Sequence, residues 1–367
     1  MSKQERVYAY IGRFQIEHKA HVATMHYALD HSDHLIVLVG SAEVARDDHN
    51  PFTFEERKQV IEANCESMLA DYRARGLSKK LSVLPVHDYV YCNNKWIQEV
   101  QEQVASVTTS SDITLTGCDK DSSTFYLKFF PHWKQDFFTL QEGISATGYR
   151  EKYFGTPSVI DETLPEATKE FLSKFRRRHD GKTFAKLVAE FNFVPNYQKP
   201  FKDMPYGMVP FVTGDAVLVC AGHILLVERG GMPGIGTWAL PGGFFQCGMD
   251  WSEEKGRFVP NGRPIDRDPV ATVLRELREE TNVRVPLPVL EGRIRETQVF
   301  CDPNRSRRWR IITHASYIQL NDTTLPEVRG DDDAAKAFWV PISEIKKNRS
   351  KFFEDHLSII DAYLGIL

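Results

Sequence analysis

Short apolar runs that break at glycine, separated by stretches of helical spacing, set the pattern of the first half of the chain. Val7 to Ile11 is an apolar run that meets Gly12 and predicts a buried strand, a tight turn and, from Val22 to Leu29, a helix. His34 to Gly40 (HLIVLVG) predicts the next strand, followed by a helix opened by Glu55-Glu56 after Asn50-Pro51. Leu81 to Val86 and Asp112 to Gly117 predict two more strands, with an amphipathic helix (Trp96, Ile97, Val100, Val104) between them. This β-α-β alternation predicts a parallel sheet, and such sheets bind ligands beyond the carboxyl ends of their strands. Glycines stand at those ends.

The second half has a different rhythm. Gly214 to Cys220 and Ile224 to Arg229 predict a hairpin, Trp238 to Phe244 a strand ending on a glycine pair, and Asp268-Pro269 the capped start of a helix to Thr281. Val270, Val273, Leu274 and Leu277 form its apolar stripe, and Glu276, Glu279 and Glu280 crowd one side. A proline- and aromatic-rich stretch lies between the halves. The expected division is a first domain at 1–185, an ordered connector at 186–205 and a second domain at 206–367.

Composition narrows the partners. A chain of 367 residues with 42% hydrophobic and 26% charged residues is of soluble globular type and long enough for two cores. A net charge of −4 offers no support for nucleic-acid binding, and the basic end of the predicted helix Leu164 to Arg178 reads as cations placed at a helix C-terminus. Six cysteines without a C-x-x-C pair suggest neither disulfides nor zinc. A cytoplasmic protein with no membrane span is expected.

Candidate chemistry concentrates in loops. Gly12-Arg13-Phe14, with His18 and His21 three residues apart, would place backbone N–H groups and side-chain cations at a helix N-terminus, a natural phosphate site. Ser145, Thr147 and Arg150 repeat the arrangement, and the competing interpretation is a plain N-cap with a solvated arginine. Trp96 is either a ring-stacking platform or core. Three glutamates at i, i+3 and i+4 repel unless a hard cation such as Mg2+ or Mn2+ lies among them, although a solvated acidic helix face looks the same in sequence.

Taken together, Gly-Arg-Phe-x-x-x-His-x-x-His (12–21), Gly-Ser-Ala (40–42), Asn-Pro-Phe-Thr-x-x-Glu-Arg (50–57), Asn-x-x-Trp (93–96), Gly-x-Asp (117–119) and Ile-Ser-x-Thr-x-x-Arg (144–150) resemble the nicotinamide mononucleotide (NMN) adenylyltransferases of archaeal and bifunctional bacterial type. The resemblance implies a Rossmann-like nucleotidyltransferase domain, ATP and NMN as substrates and magnesium. It places His18, His21 and Arg150 at catalysis, and Gly12, Arg13, Phe14, Gly40, Ser41, Asn93, Trp96, Gly117, Asp119, Ser145 and Thr147 around the nucleotides. Ile16, Ala20 and Cys118 stand where the family usually has proline, glycine and histidine.

In the second half, Gly242-Gly243 followed by Arg275-Glu276-Leu277-Arg278-Glu279-Glu280 resembles the Nudix box of pyrophosphohydrolases, on an α+β domain. An insertion enlarges the usual spacing, and Arg267 and Asn282 replace an expected acid and glycine. The resemblance implies cleavage of ADP-ribose to AMP and ribose 5-phosphate, with Glu276, Glu279 and Glu280 on the metal and Gly242, Gly243 and Arg275 beside the substrate. The alternative is a domain that only senses ADP-ribose or hydrolyses another nucleoside diphosphate derivative. Trp309 stands where the family tends to have glycine. A homo-oligomer is compatible with all of this.

Overall fold

The computed structural model describes residues 4–117, 128–137, 145–202, 209–252, 254–330 and 334–367. The chain packs as two units, Met1–Asn192 and Phe193–Leu367. Among the described residues no helix is long and apolar enough to cross a membrane.

The first unit is an α/β fold. In chain order it comprises β1 (Val7–Gly12), α1 (Lys19–His31), β2 (His34–Val39), α2 (Phe54–Ala74), β3 (Lys80–Pro85), α3 (Asn93–Ala105), β4 (Ile113–Gly117), β5 (Lys134–Phe137), α4 (Ala146–Phe154) and α5 (Glu166–Arg177). The strands form a parallel sheet in the order β3-β2-β1-β4-β5. Both faces are covered, which is why the strands read as continuous apolar runs and not as alternation. Tyr8, Tyr10, Leu35 and Val37 pack with Met25 and Ile61 of α1 and α2, whereas Val7, Ala9, Ile36 and Leu38 pack with Val100 and Val104 of α3. Since β2 leaves β1 on one side and β4 joins it on the other, the switch point of the sheet lies between β1 and β4, at Gly12 and Gly117. Strand β5, with the sequence KQDF, carries no apolar run because it is a short, half-exposed edge.

Much of the stretch expected as a connector is helix α6 (Lys182–Gln198), which carries Pro195 inside it and across which the division between the units falls. Phe184, Leu187, Val188 and Phe191 recur at helical spacing and pack on the apolar cluster of α4 and α5. That burial outweighs the helix-breaking tendency of the proline near its end.

The second unit contains β6 (Phe211–Cys220), β7 (His223–Arg229), β8 (Trp238–Ala239), β9 (Gly242–Phe244), β10 (Met249–Ser252), β11 (Arg257–Pro260), α7 (Pro269–Thr281), α8 (Leu287–Gly292), β12 (Ile294–Phe300), β13 (Ile311–Gln319), β14 (Ala334–Pro341), α9 (Ile342–Ile345) and α10 (His356–Leu364). Its sheet runs β12-β13-β6-β7-β14, with β8 on β7 and β9 on β6, and among the described residues only the β13 and β6 strands pair in parallel. Val273, Leu274 and Leu277 of α7 pack against Ala216, Leu218 and Leu225, so the predicted stripe is the buried one. The insertion before α7 is a separate two-stranded hairpin of β10 and β11.

Candidate active sites

In the first unit the chain must turn immediately after β1. A Cβ on Gly12 would come within 2.9 Å of the Phe14 ring, so glycine is required for that ring to fold back against the strand end. Phe14 and Ile16 have φ of +52° and +78°, which is costly for any side chain and most for a β-branched one. Two sets of contacts hold this path. Ile16 is buried among Phe52, Tyr153, Phe154 and Leu172, and the Gln15 amide both donates to the Phe52 carbonyl (3.1 Å) and accepts from the Phe52 N–H (3.0 Å). A proline ring cannot adopt φ near +78°. Apolar burial of Ile16 therefore supplies the rigidity that the usual proline provides elsewhere.

His18 precedes α1 and its N–H donates to His21 Nδ1 at 3.4 Å. The two imidazoles stack at 3.8 Å with an interplanar angle of 16°, and Phe14 meets His21 edge-on at 4.9 Å. His18 and Ala20 are buried and His21 is half-buried. The helix start thus presents a paired imidazole surface with one ring outermost.

Arg150 comes from α4, well over a hundred residues away, yet its Nη1 donates to the Gln15 carbonyl (3.0 Å) and its Nη2 to the Thr147 hydroxyl (3.2 Å). Ser145 acts as the N-cap of α4, accepting from the Gly148 N–H at 3.4 Å. The cap interpretation thus holds for Ser145, while Arg150 is buried and bonded to Gln15 and Thr147 and is not a solvated arginine. Gly40 and Ser41 follow β2, and the Gly40 N–H donates to the Gly12 carbonyl at 2.8 Å. Asn93, exposed, and Trp96, half-buried and 5.9 Å from the Phe130 ring, open α3 at the same carboxyl end of the sheet. Gly117 ends β4, and Asp119 and Cys118 lie outside the described residues.

The residue that ties these loops together is Arg57, which sequence reasoning leaves inside a helix-start motif. Its guanidinium donates to the carbonyls of Arg13 (2.7 Å), Gly40 (2.6 Å), Ser41 (3.0 Å) and Thr53 (3.2 Å). Burial pushes it down to about 10, still a cation at neutral pH. Arg13 is thereby fixed through its backbone. Beside His18, the Glu17 carboxyl is buried and pushed up to about 8 by that burial, although Asn64 donates to it at 2.7 Å. A neutral Glu17 adds no negative charge beside His18.

In the second unit a cavity of about 1080 Å³ opens over α7 and is lined by Gly242, Gly243, Arg275, Glu276, Glu279 and Glu280. The glycine pair is dictated by what lies beneath it. A Cβ on Gly242 would fall 2.2 Å from Asp215 Oδ1 and 2.5 Å from the Gly214 carbonyl, and one on Gly243 would fall 2.4 Å from Glu276 Oε1. Gly242 also donates its N–H to Glu280 Oε2 at 3.0 Å. Glu280 is nonetheless pushed up to about 8, chiefly by burial, and burial raises Glu276 as well, with Glu279 and Asp266 adding repulsion.

Arg275 sits in the midst of these acids. It donates in a fork to Asp266 (3.0 and 2.9 Å), to Glu276 (2.6 Å) and Glu279 (2.8 Å), and to the Phe244 carbonyl (3.0 Å). Burial works against its charge, but the ion pairs with Asp266, Glu276 and Glu279 prevail and hold it above the usual arginine value. Both departures of the box find their explanation here. The acid missing at Arg267 is supplied one residue earlier by Asp266, whose partner is Arg275. The missing glycine is Asn282, in the left-handed conformation (φ +46°) that asparagine tolerates best after glycine, closing α7. Trp309 packs on Phe201 and donates to the Val209 carbonyl at 2.9 Å.

Among the described residues no group of three His, Cys, Asp or Glu side chains is arranged to hold a metal ion. Arg275 draws Glu276 and Glu279 to itself, and the Gly242 N–H draws Glu280. The donor set still suits a hard divalent cation: all three candidate groups are carboxylates, Glu276 is raised first by burial, and the repulsion that Glu279 and Asp266 add is what such a charge would relieve.

A cytidylyltransferase-like family model matches residues 9–151 and a NUDIX domain model matches residues 210–363. The nicotinamide/nicotinic acid mononucleotide adenylyltransferase of Acinetobacter baylyi is 38% identical over 169 residues, 46% of this chain and 85% of that protein. The ADP-ribose pyrophosphatase of Methanocaldococcus jannaschii is 29% identical over 155 residues, 42% of this chain and 73% of that one. A crystal structure of a bifunctional NMN adenylyltransferase/ADP ribose pyrophosphatase from Francisella tularensis, complexed with AMP and a manganese ion, superimposes with a TM-score of 0.83 at 31% identity, covering 98% of this chain and 99% of that one. With both halves matched end to end in one relative, this chain belongs to the family of bifunctional NMN adenylyltransferase/ADP-ribose pyrophosphatases.

Proposed function

We propose that the protein is a two-headed enzyme of NAD metabolism. The first unit transfers the adenylyl group of ATP to NMN, giving NAD and pyrophosphate; the second hydrolyses ADP-ribose to AMP and ribose 5-phosphate with a divalent metal. The observation that carries this reading is the end-to-end likeness to the Francisella protein at 31% identity. The geometry of each site supports it.

In the transferase the acceptor is already a phosphate oxygen. It attacks the α-phosphorus of ATP, a new P–O bond forms and pyrophosphate leaves, so the protein must align two anions and stabilise growing negative charge. Arg13, His18, His21 and Arg150 supply that charge around the loop after β1, while Arg57 and Gln15 hold the loop's backbone. Thr147 orients Arg150, Trp96 offers a half-buried ring for nicotinamide, and Gly40, Ser41, Asn93, Gly117 and Asp119 complete the nucleotide contacts.

In the hydrolase Glu276, Glu279 and Glu280 would hold the metal once Arg275 yields Glu276 and Glu279, keeping its fork to Asp266. The bound cation, Mg2+ or Mn2+, supplies charge neutralisation on the diphosphate and activation of water. Gly242 and Gly243 leave room for the carboxylates. Because Asp266 and Asn282 restore the two altered positions of the box, a hydrolase is favoured over a domain that only senses ADP-ribose.

Product analysis tests the proposal: NMN with ATP and Mg2+ should give NAD, and ADP-ribose with Mg2+ or Mn2+ should give AMP and ribose 5-phosphate. Absence of NAD in the first mixture refutes the transferase, and absence of AMP in the second refutes the hydrolase.

A further inference from the structure

The strand segment that carries the glycine pair is braced from the side opposite the box helix. From Trp238 to Gly242 the backbone has few donors to spare. Trp238 and Ala239 pair with β7, Pro241 has no N–H, and the Gly242 N–H goes to Glu280. The Leu240 N–H is left over, and it donates to Nδ1 of His356 at 2.9 Å. His356 is buried at the first turn of α10 and lines the cavity. Just before it, the Phe353 N–H donates to the Trp238 carbonyl at 2.9 Å, so residues 352–356 are stitched along 238–240 by one backbone and one side-chain bond. On the other side, the Pro241 carbonyl accepts from the Ala216 N–H at 2.8 Å.

We propose that His356 is a positioning residue of the hydrolase site: its Nδ1 fixes Leu240, and through Pro241 this aims the Gly242 N–H at Glu280. The inference rests on the hydrolytic reading above. An imidazole can accept at Nδ1 only as the neutral ring with its proton on Nε2. The surroundings enforce that form. Burial comes first, followed by the charges of Arg305, Arg229 and Arg308, and together they hold His356 well below the usual histidine value. Asp355, the nearest acid in the chain, is committed to Arg305 by a fork of 3.0 and 3.1 Å, and Glu354 faces Arg308 at 3.8 Å, so neither frees itself to favour an imidazolium.

Three substitutions test the proposal. His356→Asn keeps an acceptor one bond beyond Cγ, where Nδ1 stands; His356→Gln moves it a bond too far; His356→Leu removes it. The measurements are kcat and KM for ADP-ribose hydrolysis, Mn2+ affinity by titration without substrate, the thermal midpoint, and NAD synthesis as a control. His356→Leu and His356→Gln are expected to lower kcat and Mn2+ affinity by about 10–100-fold with little change in KM, while His356→Asn recovers most of both. NAD synthesis should not change. The idea is overturned if all three variants lose kcat in proportion to their thermal midpoints, which marks a packing role, or if none changes Mn2+ affinity. Should wild type fail to cleave ADP-ribose, the hydrolytic reading falls alone, and the Mn2+ titrations still decide between the Asn and Leu variants.

Discussion

Gly242 and Gly243 are neighbours in sequence, yet alanine at each should fail for different reasons. At Gly243 the new Cβ would stand 2.4 Å from Glu276 Oε1 and 2.5 Å from its Cδ, about an ångström inside ordinary contact. The obstacle is the end of a flexible side chain, and Gly243 does not have a positive φ, so the fold can absorb the methyl by turning Glu276 aside. Fold stability is then nearly unchanged. Catalysis is not, because a carboxylate misplaced by an ångström in a reacting constellation costs on the order of 10²-fold in rate. At Gly242 the methyl meets backbone, the Gly214 carbonyl at 2.5 Å and Asp215 Cα at 2.9 Å, which cannot turn aside. Overpacking of that kind costs about 1–3 kcal/mol, a fall in Tm of roughly 2–12 °C for a unit of this size. The assay is release of AMP from ADP-ribose alongside a thermal melt, with NAD synthesis from NMN and ATP measured on the same preparation. Gly243→Ala should lose hydrolysis about 100-fold at an unchanged midpoint. Full hydrolysis in that variant, or a fall in Tm as large as that of Gly242→Ala, would refute the claim that Glu276 is the group displaced.

Three more expectations follow from the same geometry. Arg57→Lys puts an ammonium with three donors and no planar fork where a guanidinium reaches the four carbonyls of Arg13, Gly40, Ser41 and Thr53, so at least one of them loses its side-chain donor; it should cost about 1–3 kcal/mol in denaturant melts and raise the KM for ATP, and an unchanged KM counts against its role as the tie between loops. Glu17 carries a folded value near 8, above that of the unfolded chain, so its contribution to stability is fully present below about pH 4.5 and is lost as pH rises through 8. Glu17→Gln should therefore gain on wild type in thermal midpoint as pH is raised from 5 to 8.5, and parallel pH profiles would contradict a buried carboxyl there. Glu280→Gln should abolish AMP release while leaving NAD synthesis intact; retained hydrolysis would remove Glu280 from the metal set.

Much of this protein is legible in its residue order. Apolar runs ending at Gly12, Gly40 and Gly117, separated by helical spacing, determine a parallel sheet with both faces covered, because burial on two sides leaves no polar alternation. The stripe of α7 and the acids beside it are likewise local, a matter of 3.6 residues per turn. Other features depend on contacts that no local period records. Strand β5 has no apolar run because it lies at a half-exposed edge, and Pro195 sits inside a helix because the apolar face of α6 outweighs it. The proline absent at residue 16 is compensated by burial of a side chain at positive φ, and the acid absent at 267 by Asp266, which only the folded turn places against Arg275.

What the tertiary structure alone decides is how the loops are held. Arg57 on three loop carbonyls, Gln15 on Phe52, Arg150 on Gln15 and His356 on Leu240 are all side chains bonded to distant backbone. A sequence specifies which side chains can donate and accept. Their partners are backbone groups, the same chemistry at every position, so only the fold selects which of them each side chain meets. The sequence by itself determined two candidate phosphate-handling sites on two kinds of fold; the packing of the chain decided the geometry in which each is set.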